Sequence, residues 1–125
     1  MPAEPTAPAL PDRQVIQGYG DGRFRISGAV YAGPVIVTVY KVFSWAAPDL
    51  SALTPESLAP AREAGVDILL LGCGTTAAMA PASLRQALRK EGIALDVMGT
   101  GAACRTFNVL SAEARRVAAA LLPVP

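Results

Sequence analysis

The chain has 125 residues, 52% of them apolar, which is enough to bury one proper core and hardly two. Eleven Lys and Arg stand against ten Asp and Glu, a scattered formal charge of +1, and aromatics make up only 6%. This balance excludes the basic face and stacking platforms of nucleic-acid binders, and the complete lack of His removes the commonest general base, metal ligand and nucleophile-activating partner.

The two cysteines, Cys73 and Cys104, cannot close a structural zinc site without carboxylates at ligand spacing, and none is so placed. No metal and no cofactor is therefore expected. The first residues lack the charged and apolar regions of a signal peptide, which points to a reducing cytoplasm. Apolar runs fall well short of the roughly 20 residues that span a bilayer, so any membrane association would run through a partner.

Residues 1–12 carry Pro2, Pro5, Pro8 and Pro11 and read as a disordered or polyproline-like tail, leaving residues 13–125 as a single domain. Residues 15–19 and 23–27 flank Gly20-Asp21-Gly22, and Phe24 and Ile26 alternate with Arg23, Arg25 and Ser27, the pattern of a hairpin with one wet face. Residues 28–34 are rich in breakers. The β-branched run at residues 35–40 continues through Val42, Phe43 and Trp45 and predicts one long strand bent near Lys41. Phe43 and Trp45 read as core residues or as exposed anchors for a partner.

Thr54 before Pro55 marks a helix start, Gly65 its stop, and Pro60 makes that helix short or broken. Residues 67–71 form a short, nearly continuous apolar run ending in Gly72-Cys73-Gly74, as in a strand covered on both faces. Residues 81–91 place Leu84, Ala87 and Leu88 on one helical face before Gly92, and residues 93–98 read as the next strand. Ala114, Val117, Ala118, Leu121 and Leu122 recur at helical spacing before Pro123, which predicts a docked C-terminal helix bearing Arg115 and Arg116 on its solvated face.

The expected fold is therefore α/β, a single three-layer domain with a central mixed β-sheet, an N-terminal β-hairpin and helices packed on the sheet. The right-handed crossover rule makes the strands ending at Leu71 and Met98 parallel, so the segments that follow them open beside each other. The candidate crevice comprises Gly72, Cys73, Gly74, Thr75, Thr100, Cys104, Arg105, Thr106 and Asn108.

Each group in this crevice has a chemical and a structural reading. Residues 72–77 match the G-x-G-x-x-[GA] spacing of a dinucleotide turn, but the next helix begins only near Pro81 and Asp96 lies inside the next strand, so tight-turn glycines are the simpler reading. A smaller anion can be held at either turn by backbone N–H groups. Cys104 beside Arg105 is either an activated thiol or a small core residue, and a disulfide with Cys73 requires that the two turns converge. Arg105, Thr106 and Asn108 suit a carboxylate or phosphate, and equally suit capping of backbone groups or, for Arg105, pairing with Glu113.

The order QGYGDGRFRISG, LLLGCG and GTGAACRTFNVLSAEARRVAAALL resembles a family of small domains. That family includes many uncharacterised bacterial and archaeal proteins, the adipogenesis-associated domain protein of animals and the mitochondrial assembly factor for the alpha subcomplex of respiratory complex I. The resemblance spans residues 15–122, on Gly20, Gly22, Phe24, Trp45, Gly72, Gly74, Thr100, Ala103, Cys104, Arg105, Thr106, Asn108, Glu113 and Arg116. Cys73 stands where Thr is commoner, and Phe107 stands where Tyr is commoner and lacks its hydroxyl.

The resemblance implies a compact mixed-sheet domain without an established catalytic activity, acting through protein contacts. Two functions follow from these readings. The first is a non-enzymatic interaction domain in assembly or maturation of a respiratory membrane complex, with a protein partner and no nucleic acid. The second is a small-molecule or anion-binding protein, an enzyme included, that uses the glycine-lined crevice. A concavity lined by Cys104, Arg105 and Asn108 would favour the second.

Overall fold

The computed structural model describes residues 12–47, 49–75 and 78–125, so the proline-rich tail lies, apart from Asp12, outside the described residues. Strands β1 (Ile16–Gly20), β2 (Arg23–Ile26) and β3 (Ala29–Ala32) form an antiparallel three-stranded sheet in that order. The predicted hairpin is thus the first half of a meander. Asp21 and Gly22 take φ values of 53° and 72°, and Ser27 and Gly28 take 49° and 86°, so each connection has the two left-handed residues of a tight hairpin turn.

The larger sheet has five strands in the order β5-β4-β8-β6-β7, with β4 (Val35–Val37), β5 (Val42–Ser44), β6 (Ile68–Gly72), β7 (Ala94–Met98) and β8 (Val117–Leu121). β6 pairs in parallel with β7 and β8, whereas β4 runs antiparallel to β5 and β8. The sheet is mixed and central, as expected.

Two elements differ from the sequence reading. The long bent strand is a hairpin, β4 and β5, folded back where Lys41 N donates to the Thr38 hydroxyl at 3.2 Å and Thr38 N donates to Lys41 O at 2.8 Å. The C-terminal helix is strand β8, every residue of which is buried. Its alanines suit a helix intrinsically, but a strand buried on both faces satisfies the same run of small apolar residues, and tertiary pairing decides.

Helix α1 (Ala59–Glu63) follows a 3-10 turn at Pro55–Leu58 that Thr54 caps reciprocally with Ser57, confirming the short, proline-broken helix. Helix α2 (Ala82–Lys90) turns Leu84 and Leu88 onto the sheet. Helix α3 (Thr100–Ala112) packs on the opposite face. Alternation along the strands divides the core accordingly. Leu69, Leu71, Ala118 and Ala120 face α1 and α2, while Leu70, Val117, Ala119 and Leu121 face α3 and the meander. Trp45 joins the first layer, buried, its Nε1 donating to Ser57 O at 2.8 Å.

Candidate functional site

Because β6 and β7 are adjacent and parallel, with Gly72 opposite Met98, the segment after β6 and the start of α3 open side by side at the carboxyl ends of the strands. Gly72 permits the close approach of α3. A Cβ there would stand 2.9 Å from Leu121 Cδ2 and 3.0 Å from Thr100 Cα. Gly74, with φ 92°, reverses the chain so that its carbonyl accepts from Thr100 N at 2.9 Å. The fully buried Thr100 hydroxyl accepts from Gly74 N at 2.9 Å and donates to Leu122 O at 2.6 Å. One side chain thereby fastens the β6 turn, α3 and the segment leaving β8.

Above this staple lies an open crevice of about 360 Å³, lined by Tyr19, Gly74, Thr75, Gly99, Gly101, Ala102, Arg105, Val124 and Pro125. Of the expected residues it gathers Gly74, Thr75 and Arg105. Arg105 Nη1 donates to the Tyr19 hydroxyl at 3.3 Å, and Tyr19 lies over Gly101, where any Cβ would collide with the phenol. Sequence reasoning passed over Tyr19 and Gly101. The signal for Gly101 was its position in the first turn of a helix otherwise free of glycine, a place where a second body can come close.

Asn108 and the two cysteines make internal contacts instead. Asn108 Oδ1 accepts from Ile16 N at 2.9 Å and Asn108 Nδ2 donates to Ile16 O at 2.8 Å, a two-point grip that fastens the meander to α3. Cys104 is buried in the α3 core layer, where burial pushes its thiol up to about 11 against a smaller opposing pull from Arg105. Burial thus favours its neutral thiol form.

Cys73 Sγ donates to Met98 O at 3.1 Å and accepts from Ala78 N at 3.2 Å, and no disulfide joins the two cysteines. Thr106 is partly buried on α3 away from the crevice lining, and Phe107 is fully buried in the core. Arg105 meets Tyr19 rather than Glu113, and Arg116 grips Asp67 with two bonds of 3.0 and 2.9 Å. Among the described residues, no cluster of three or more His, Cys, Asp or Glu is placed to hold a metal ion, and no helix is long and apolar enough to cross a membrane.

A central mixed sheet, helices on both sides and a glycine-lined crevice roofed by a Tyr–Arg pair define a small three-layer α/β domain. The chain belongs to the family described as "Protein of unknown function (DUF498/DUF598)", whose model matches residues 16–122. An uncharacterised protein of Rhodobacter capsulatus is 42% identical over 99% of this chain and 94% of its own length. The Danio rerio protein named NADH dehydrogenase [ubiquinone] 1 alpha subcomplex assembly factor 3 is 37% identical over 89% of this chain. The match spans only 65% of that relative, less than two thirds of its length. A solved Bartonella henselae structure, described as an outer membrane protein, has 34% identity and a TM-score of 0.82 over 92% of this chain and 98% of its own.

Proposed function

We propose that this protein is an interaction domain that acts in the assembly or maturation of a respiratory membrane complex, from the cytoplasmic side. It docks a protein partner on the rim of the crevice at the carboxyl ends of the strands. The observation that carries this reading is how the crevice divides its polar groups. Thr100, Asn108 and Cys104 are committed to internal bonds or the core, whereas Tyr19, Thr75 and Arg105 stand exposed at the mouth. Tyr and Arg are the residue types that concentrate binding energy at protein interfaces. The crevice is open rather than enclosed, which suits a protruding side chain of a partner better than a sequestered substrate. The assembly-factor name of relatives aligned along most of the domain supports a respiratory complex as the target.

Deleting the gene in the native host and measuring membrane NADH:quinone oxidoreductase activity tests this. Activity should fall several-fold and return with the wild-type gene but not with Arg105→Ala, a substitution at an exposed residue that leaves the melting temperature unchanged. Undiminished activity in the deletion strain would refute the assembly role.

A further inference from the structure

A second concavity, of about 280 Å³, lies at the opposite end of the sheet. Val37 pairs with Ala119 and Ile68 with Val117, so the turn after β4, the segment entering β6 and the segment entering β8 converge where β6 and β8 begin. Arg13, Arg115 and Arg116 all line it. Arg116 is neutralised by its two bonds to Asp67. The other two are not so engaged. The Arg13 guanidinium lies 5.7 Å from the centre of the Tyr40 ring with its Nε buried, and no acceptor meets that Nε among the described residues. Arg115 likewise has no side-chain hydrogen bond or ion pair among them. Glu63 is placed in the adjoining groove with Lys41.

A buried guanidinium donor without an acceptor is costly unless a ligand meets it, and Arg115, exposed at the same concavity, adds a second positive charge that favours an anion there. The backbone is strained at the same place. Ala114 holds φ 62°, a left-handed conformation that favours glycine, where α3 ends with Arg115 N donating to Leu110 O at 2.9 Å. The wall between the cations is apolar, built by Val39, Val66 and the face of Tyr40.

We propose that this concavity binds a small organic oxyanion, a carboxylate or phosphate head on a compact apolar body. Arg13 and Arg115 receive the head by charge-assisted hydrogen bonds, and Val39, Val66 and Tyr40 receive the body. This site is separate from the crevice rim and stands or falls without it.

Phenyl phosphate and benzoate, with inorganic phosphate as the head alone, titrated into the labelled protein and followed by amide chemical shifts, test the assignment. At least one aryl probe should produce saturating shifts at residues 38–40, 64–66 and 114–116, with inorganic phosphate weaker. Arg13→Ala and Arg115→Gln should each weaken binding by roughly tenfold or more. Arg115 is exposed, so the amide spectrum of Arg115→Gln should otherwise match the wild type and keep the result readable. Shifts that never saturate, that map to residues 99–102 instead, or that persist at full affinity in Arg115→Gln would overturn the proposal.

Discussion

Gly72 and Gly101 lie in the same corner of the molecule, and their surroundings predict opposite responses to a methyl group. At Gly72 the new Cβ meets Leu121 from one side and the backbone of Thr100 from the other, so α3 itself must retreat from the sheet. Overpacking of this kind costs about 1–3 kcal/mol, and Gly72→Ala should lower the thermal midpoint accordingly. At Gly101 the obstacle is the half-exposed end of Tyr19, which can swing into solvent, while Ala in a helix gains up to about 1 kcal/mol over Gly. Gly101→Ala should therefore leave stability within about 0.5 kcal/mol of wild type and displace the phenol from Arg105, seen as a changed Tyr19 environment by NMR. A Gly72→Ala protein as stable as wild type would show that the helix and sheet are less tightly apposed than described.

Helix α3 and strand β8 show how far local patterns carry. The unit β6, α2 and β7 was legible because each piece had its own period and its own breaker, Gly72 and Gly92 among them. β8 was not, because small residues that lie at helical spacing also fill a strand buried on both faces. Nor does the sequence mark the end of the preceding helix, which the chain makes with Ala114 instead of glycine. Ala114→Gly should stabilise the protein by about 0.5–1 kcal/mol in urea unfolding, since it relieves the left-handed strain at a modest entropic cost. A loss of stability would show that Ala114 carries no such strain.

β3 escaped notice for a different reason. Ser27-Gly28 is a turn pair, but the four residues after it alternate too weakly to announce a strand. Tyr19 was hidden by a bulge between Ile16 and Gly18, which shifts the register so that Tyr19 lies opposite Phe24 on the side facing α3. Of the candidate site, Gly74, Thr75 and Arg105 were legible because they follow the ends of the two parallel strands. The internal duties of Thr100 and Asn108 depend on partners 22 and 92 residues away and could not be read locally.

At the scale of the whole molecule, the two ends of the central sheet carry different features. The carboxyl end presents a crevice whose floor is fastened by Thr100 and whose rim offers Tyr19 and Arg105. The amino end presents a cationic concavity. The rim at the carboxyl end is the surface proposed above to dock a protein partner. Affinity capture from detergent-solubilised membranes of the native host, comparing wild type with Tyr19→Ala and Arg105→Ala by quantitative mass spectrometry, tests it most directly. Subunits of a respiratory complex should be enriched by the wild type and fall several-fold with either substitution, with both variants folded. Equal recovery by all three proteins, or no respiratory subunit recovered by the wild type, would contradict it.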